Sequence, residues 1–130
     1  MSEIAKEIKT VLVVDDDEGY RMLLTDAISD AGFNVIAAKN GEEALQKISQ
    51  NPDLIMLDYV LPDTTGIDIL KKIRAQNSTW AQKVPVFMLT QKSDLSTIAD
   101  AMEGHVSGYF VKSEEALDSM VAEVRQKLGV

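Results

Sequence analysis

The sequence contains no cysteine, only three prolines and few aromatic residues, which make up 5% of its 130 residues. Without cysteine the chain forms no disulfide and offers no thiolate to a zinc site, which suits a reducing compartment. No apolar run approaches the roughly 18 residues that a membrane-spanning helix requires, and the charged residues after Met1 do not resemble a signal peptide. We therefore expect a cytoplasmic protein without membrane insertion.

Basic residues are also scarce, with 13 Lys and Arg against 21 Asp and Glu and a formal net charge of -8. This charge repels the phosphate backbone of nucleic acids, so we expect no direct nucleic-acid partner. The 45% content of apolar residues is typical of a folded globular chain rather than a disordered one. The length fits one domain with a single core.

Five short apolar runs alternate with amphipathic stretches along the chain, at residues 10–14, 33–38, 54–57, 84–89 and 109–111. This alternation predicts an α/β fold with a doubly wound sheet of five parallel strands. The five β/α units fill residues 10–130. They leave residues 1–9 as an N-terminal extension, and we expect no second domain.

Apolar residues at helical spacing predict the helices between these strands. Asn40 and Glu43 have the spacing of a capping box, and Ser113 is placed to cap the last helix. Trp80 falls in a polar linker, where we expect it to pack against a helix. The predicted buried faces carry Leu23, Leu24, Ala27, Ile28 and Ala31 in the first helix, Ile67, Leu70 and Ile73 in the third, Leu95, Ile98, Ala99 and Met102 in the fourth, and Leu117, Met120, Val121, Val124 and Leu128 in the last.

Polar residues follow four of the runs, and the carboxyl ends of parallel strands form the ligand-binding edge of such sheets. The pair Asp15 and Asp16 follows the first run, and carboxylates of this kind hold Mg²⁺ while leaving room for phosphate oxygens. The alternative is that these acids only favour the positive start of the next helix. That alternative stays open for Asp15 and Asp16, and we favour it for Asp17 and Glu18.

Asp58 follows the third run and is the candidate nucleophile, since a carboxylate that attacks a phosphoryl group gives an aspartyl phosphate. The alternative is an Asp that ends a strand and caps a loop. Thr90 and Lys112 follow the fourth and fifth runs and add a hydroxyl and an ammonium at the same edge.

The segment from Asp58 to Gly66 resembles the phosphoacceptor loop of response-regulator receiver domains, with Pro62 four residues and Gly66 eight residues after the Asp. Residues 11–17 resemble the first strand and acidic pair of that family, and residues 85–90 and 107–112 resemble its fourth and fifth strand ends. The four motifs occur in order over the whole chain. The resemblance implies a flavodoxin-like (βα)5 receiver fold and a role in two-component signalling.

The resemblance also implies the roles of individual residues. Asp16 would ligate Mg²⁺ directly and Asp15 mainly through water, with Asp58 and the backbone carbonyl of Val60 completing the protein ligands. Asp58 would accept a phosphoryl group from a phosphohistidine on a sensor histidine kinase or a histidine phosphotransfer protein.

Lys112 and the Thr90 hydroxyl would each contact a phosphoryl oxygen, and Tyr109 would be the switch aromatic. We therefore expect a single-domain response regulator, monomeric, whose only catalysis is its own phosphorylation and dephosphorylation. Its downstream target would be a protein, bound at the face formed by the fourth helix, fifth strand and last helix.

Three residues depart from the family pattern. Ser113 replaces the usual proline after Lys112, so the peptide bond between them is either a strained cis bond or trans. Gln91 stands where the family has a small residue and would narrow the entrance to the site. Val60 cannot hydrogen-bond an attacking water, and from this we predict slow hydrolysis of the aspartyl phosphate.

Two other functions remain as alternatives. One is a pseudo-receiver, which would keep the fold and bind a partner constitutively without phosphorylation. The other is a phosphatase of the haloacid dehalogenase type, which would need a second acid two residues after the nucleophile. Val60 occupies that position after Asp58, and Asp17 occupies it after Asp15.

Overall fold

The computed structural model describes residues 7–94, 96 and 106–130. Its five strands are β1 (Thr10–Val14), β2 (Asn34–Ala38), β3 (Leu54–Asp58), β4 (Val86–Thr90) and β5 (Gly108–Val111). They form one parallel sheet in the order β2-β1-β3-β4-β5. The predicted parallel sheet is confirmed, and its strand order is that of flavodoxin-like folds.

The described helices are α1 (Glu18–Asp30), α2 (Gly41–Lys47), α3 (Gly66–Arg74), α4 (Thr79–Lys83) and α5 (Leu117–Leu128). Two 3₁₀ turns cover Ile48–Gln50 and Lys92–Asp94. None of the helices in the described ranges has the length and apolarity to cross a membrane. The helix predicted to carry Leu95, Ile98, Ala99 and Met102 lies outside the described residues.

The sheet is covered on both faces, because alternate residues of each strand point to opposite sides. In β1, Leu12 and Val14 belong to the core cluster that includes residues of α2 and α3. Val11 and Val13 belong to the second cluster, which includes residues of α1 and α5. Every residue of β3 and β4 is buried, as is typical of central strands between two helical layers. The predicted doubly wound architecture is therefore confirmed.

Helix caps and helix faces agree with the sequence in some places and not in others. The Asn40 side chain accepts the backbone N–H of Glu43 at 2.8 Å, as the capping-box spacing predicts. Leu23, expected in the core, is 59% exposed, since α1 buries only the stripe that contains Leu24 and Ile28.

The predicted cap of the last helix is wrong. Helix α5 begins at Leu117, and its N-cap residue Ala116 makes no side-chain capping bond. The backbone N–H groups of Glu114 and Glu115 both donate to the carbonyl of Val111. They form a turn after β5, and that turn keeps Ser113 out of the helix.

The linker that contains Trp80 is also ordered differently from the expectation. It forms the short helix α4, which begins where the Ser78 side chain accepts the N–H of Ala81. The indole N–H of Trp80 donates to the carbonyl of Pro52 at 2.7 Å, and its ring packs on the core. Trp80 thus has a structural role at the edge of the sheet where β3 and β4 begin, which is the edge away from Asp58.

Candidate functional site

The register of the sheet places the chemically active residues side by side. Val14 pairs with Leu57, so Asp15 and Asp58 follow at the ends of adjacent strands. Thr90 ends β4, and the backbone N–H of Lys112 donates to its carbonyl at 2.9 Å. The carboxyl edge of the sheet therefore assembles two carboxylates, a hydroxyl and an ammonium from four strands.

Three carboxylates and one ammonium form the centre of this edge. Asp15, Asp16 and Asp58 each offer one carboxylate oxygen, and these atoms lie within 4.8 Å of one another. The Lys112 Nζ lies 2.5 Å from Asp15 Oδ2 and 3.2 Å from Asp58 Oδ2. Asp15 and Asp58 are buried, whereas Asp16 is exposed. The structure thus brings Asp16 and Lys112 within reach of the predicted nucleophile.

Burial and neighbouring charges together shift the pKa values of Asp58 and Lys112. Burial, together with the charge of Asp15, raises the pKa of Asp58 to about 6, although Lys112 acts in the opposite direction. Burial disfavours the ammonium of Lys112, but its hydrogen bond to Asp15 and the charge of Asp58 outweigh this and raise its pKa. Lys112 therefore stays protonated, and the carboxylates retain an excess of negative charge that one ammonium does not balance.

This excess charge fits a divalent cation. The donor atoms are carboxylate oxygens, which Mg²⁺ prefers, and the exposed side of the cluster leaves room for water and phosphate ligands. A cation at this position would offset the electrostatic repulsion between Asp15 and Asp58. The residues present therefore fit Mg²⁺.

Thr90 and Tyr109, the predicted switch residues, occupy different environments. Thr90 is buried, and its hydroxyl donates to the backbone carbonyl of Gln91 at 3.1 Å. Tyr109 lies on β5 and is 45% exposed. The Thr90 hydroxyl is thus bonded locally, and the Tyr109 ring faces solvent.

A compact loop connects Asp58 to α3. Val60 and Thr65 form an isolated antiparallel bridge, and the N–H of Gly66 donates to the carbonyl of Tyr59 at 2.6 Å. The Thr65 side chain then caps α3 by accepting the N–H of Asp68. These bonds connect the end of β3 to the start of α3 through one tight turn.

Asp63 in this loop is a residue whose role the sequence did not reveal. Its carboxylate accepts the backbone N–H groups of Gly41 and Glu42 at 2.9 and 3.0 Å. The bond from Gly41 is the main cause of a lowered pKa at Asp63. The contact fastens the loop after Asp58 to the first turn of α2, more than 20 residues away along the chain. Periodicity carries no signal for such a pair.

Residues at the start of α1 form hydrogen bonds to Asp15 of the acidic pair. The Asp17 side chain accepts the N–H of Tyr20 and so caps α1, and the Asp17 N–H donates to Asp15 Oδ1 at 2.9 Å. Asp17 and Glu18 therefore lie at the positive start of α1, as expected from the sequence. Arg21, another residue that the sequence did not single out, donates to the backbone carbonyl of Asp15 at 2.8 Å.

Tyr20 also contacts the centre, which the sequence did not indicate. The Lys112 Nζ lies 4.7 Å from the centroid of its ring, and its hydroxyl donates to Met120 Sδ at 3.6 Å. Burial and the charges of Asp15 and Asp58 raise the pKa of Tyr20 to about 12. The Tyr20 hydroxyl therefore stays protonated, and the side chain stays neutral, over the pH range in which proteins are usually studied.

An open cleft of about 340 Å³ leads to the centre, with Val60 and Gln91 at its rim. Val60 is 55% exposed, and Gln91 is also exposed. The Lys112–Ser113 peptide bond is trans, which decides between the two geometries that the sequence left open. Asp58, Asp16 and Lys112 line this cleft, so it connects the acidic centre to solvent.

Comparisons with known proteins agree with this geometry. A family model described as the response regulator receiver domain matches residues 11–125. The chain is 34% identical over 119 residues to the DNA-binding response regulator MtrA of Mycobacterium leprae, covering 91% of this chain and 50% of that protein. The chain thus spans about half the length of the curated relatives it matches.

Solved structures of similar chains share the fold. A putative response regulator from Chloroflexus aurantiacus superposes with a TM-score of 0.83 at 32% identity, covering 95% of this chain and 100% of that one. The chemotaxis response regulator CheY4 of Vibrio cholerae gives a TM-score of 0.81 at 27% identity, covering 94% and 99%. The four strand-end motifs, the sheet order and these matches show that the chain belongs to the response regulator receiver domain family.

Proposed function

We propose that this receiver domain takes a phosphoryl group from a phosphohistidine onto Asp58, with Mg²⁺ bound, and thereby changes its affinity for a protein partner. The observation that carries the proposal is the position of the buried Asp58 carboxylate. It lies 3.2 Å from the Lys112 ammonium and within 4.8 Å of a carboxylate oxygen of both Asp15 and Asp16, a set of acids suited to a cation.

The proposed transfer is a substitution at phosphorus. One Asp58 oxygen forms a bond to phosphorus, the bond from phosphorus to the imidazole nitrogen breaks, and the imidazole keeps the electron pair. Bound Mg²⁺, held by Asp15, Asp16, Asp58 and the Val60 carbonyl, would offset negative charge on the transferring group. Lys112 would turn its ammonium from Asp58 toward a phosphoryl oxygen. Catalysis of this kind consists of positioning and charge compensation.

The switch that we propose involves Thr90 and Tyr109. To bond a phosphoryl oxygen, the Thr90 hydroxyl must give up its present bond to the Gln91 carbonyl. Movement of Thr90 would open space for the exposed Tyr109 ring to turn inward. Phosphorylation can shift this equilibrium only by the difference between its contacts in the two states.

The proposed donors are a sensor histidine kinase or a histidine phosphotransfer protein, and the proposed target is a downstream protein in the cytoplasm. The target would bind at β5 and α5, together with the predicted fourth helix outside the described residues. The net charge of -8 argues against direct contact with nucleic acid. MtrA is described as DNA-binding, but it is about twice as long as the region it shares with this chain.

The test is incubation with Mg²⁺ and acetyl phosphate, or with beryllofluoride as a phosphoryl mimic, followed by intact mass spectrometry and amide NMR. We expect one phosphoryl group per chain, beryllofluoride-induced shifts around Thr90 and Tyr109, and no labelling of Asp58→Asn or of wild type after chelation. We expect Gln91, which lines the cleft, to slow small donors, so a phosphohistidine protein is the second donor. No labelling by either donor and no response to beryllofluoride would refute the proposal in favour of a pseudo-receiver.

A phosphatase of the haloacid dehalogenase type is less consistent with the contacts. Such an enzyme needs a free acid two residues after its nucleophile. Val60 is apolar, and the Asp17 carboxylate already caps α1. We propose that the chain is a switch and not a turnover enzyme, so it should label stoichiometrically and leave p-nitrophenyl phosphate unhydrolysed.

A further inference from the structure

The ammonium of Lys112 has a third neighbour besides the two carboxylates. The face of the Tyr20 ring lies beneath it, with the Nζ 4.7 Å from the ring centroid. This distance is within the range of about 6 Å in which a cation is attracted to an aromatic face. Only 11% of the Lys112 side chain is exposed, so water screens this attraction little.

We propose that Tyr20 is a positioning residue for Lys112, whose ring holds the ammonium at Asp58 and Asp15 without competing for its N–H donors. This role rests on the proposed phosphorylation of Asp58. Tyr20 lies in the first turn of α1. The proposal therefore gives this helix a part in the reaction.

A lysine needs such support because its charge sits at the end of a flexible stem with four methylene groups. The stem of Lys112 starts after β5 and must reach past β4 to Asp58 on β3 and to Asp15 after β1. The two carboxylates fix the direction of the N–H groups. The ring face adds an attraction perpendicular to its own plane and restricts the remaining freedom of the stem.

Tyr20 is itself held at two points. Its backbone N–H is bonded to the capping side chain of Asp17, and its hydroxyl donates to Met120 Sδ of α5. The ring is thus held between the first turn of α1 and the first turn of α5. An incoming phosphoryl oxygen can replace Asp58 as the acceptor of a hydrogen bond from the Lys112 ammonium, while the contact between the ammonium and the ring remains in place.

The first experiment measures the contact in the unphosphorylated protein. Lysine labelled with ¹³C at Cε is introduced, and the Lys112 methylene signal is assigned from its loss in Lys112→Arg. We expect this signal to be shifted upfield of the other lysines by the ring current, in wild type and in Tyr20→Phe, and to return to the common position in Tyr20→Leu. An unshifted Lys112 signal in the folded wild type would overturn the proposal, whether or not any variant folds.

The second experiment measures the effect on phosphorylation by acetyl phosphate with Mg²⁺. We expect Tyr20→Leu to lower the rate at saturating donor by about fivefold or more, and Tyr20→Phe to stay within about twofold of wild type. The matched control is Phe33→Leu, because Phe33 lies under the Arg125 guanidinium at 5.8 Å, away from Asp58. Its rate should equal that of wild type although it also loses a ring from a cation–ring pair.

The outcomes separate this role from the proposed function. A folded Tyr20→Leu protein with the wild-type rate would overturn the positioning role, as would a Tyr20→Phe protein as slow as Tyr20→Leu. A shifted Lys112 signal in a wild-type protein that accepts no phosphoryl group would refute the proposed function and still support the contact between Tyr20 and Lys112.

Discussion

Gly66 packs against the backbone of Asp58 so closely that a Cβ atom on Gly66 would lie 2.4 Å from the Asp58 carbonyl oxygen. The same Cβ would meet Met88 Sδ at 2.8 Å. The φ angle of Gly66 is not positive, so the requirement for glycine is steric rather than conformational. The glycine eight residues after Asp58 therefore allows α3 to begin directly beside the strand that ends at Asp58.

We predict that Gly66→Ala destabilises the fold by about 1 to 3 kcal/mol through this clash. Gly19→Ala is the matched control, since its Cβ would make an ordinary contact of 3.4 Å with Asp17. It should leave the free energy of unfolding unchanged or raise it by up to about 1 kcal/mol. Urea denaturation measures both variants, and equal stability of Gly66→Ala and wild type would show that the loop can move without cost.

Asp58→Asn should stabilise the protein in the absence of Mg²⁺ at pH 7.5. The pKa of Asp58 is raised to about 6 in the folded state, so the folded protein binds a proton more tightly than the unfolded chain does. Stability is therefore lost as the pH rises from about 4 to about 6, and the full penalty of at most about 3 kcal/mol is present above pH 6. The substitution removes the charge and with it this penalty.

The pH dependence supplies the control for Asp58→Asn. Urea denaturation at pH 4, where the carboxyl group is protonated in the folded state, should give nearly equal free energies of unfolding for both proteins. Millimolar Mg²⁺ at pH 7.5 should stabilise wild type more than the variant, because it binds the folded carboxylates. A variant less stable than wild type at pH 7.5 without Mg²⁺ would mean that the ion pair with Lys112 outweighs the burial of Asp58.

Val60→Asn should accelerate loss of the phosphoryl group from phosphorylated Asp58 by roughly tenfold. The Val60 side chain stands exposed at the rim of the cleft, where an amide can orient an attacking water and valine cannot. Val60→Leu is the matched control and should keep the wild-type rate. The decay of the phosphorylated mass after removal of the donor measures all three rates, and identical decay of Val60→Asn and wild type would disprove the predicted slow hydrolysis.

Asp63→Ala should lower the melting temperature, because the N–H groups of Gly41 and Glu42 lose their acceptor. Asp63→Asn keeps an acceptor oxygen and should retain part of the stability. The pKa of Asp63 is lowered in the folded state, so its contribution is present above the unfolded pKa of about 4 and is lost as the pH falls through the folded value. The melting-temperature difference between wild type and Asp63→Ala should therefore shrink in acid, and a difference that is constant with pH would point to lost packing.

The sequence predicts the sheet well, because short apolar runs alternate with amphipathic stretches along the chain, and the central strands β3 and β4 are buried at every residue. It predicts α4 poorly, since five residues are too few to show a helical period. Leu23 looks like a core residue because it fits the apolar spacing, yet the layer beneath α1 has room only for the stripe through Leu24 and Ile28. Local patterns fix the type of an element better than its exact face.

The site shows the same division. Asp15, Asp58, Thr90 and Lys112 could be placed together from the sequence, because the ends of parallel strands share one edge. The contacts of Tyr20 with Lys112 and of Asp63 with Gly41 join residues far apart in the chain. They depend on how α1 and α2 pack at the sheet edge, and no periodicity or spacing encodes that.

Locating the phosphoryl group tests the role of Asp58 most directly. The protein is treated with Mg²⁺ and a phosphodonor that labels it, then with borohydride, which reduces an aspartyl phosphate to homoserine, and its peptides are sequenced by tandem mass spectrometry. We predict homoserine at position 58 and unmodified aspartate at positions 15 and 16. Homoserine at another carboxylate, with position 58 unmodified, would contradict the assignment of Asp58 as the phosphoacceptor.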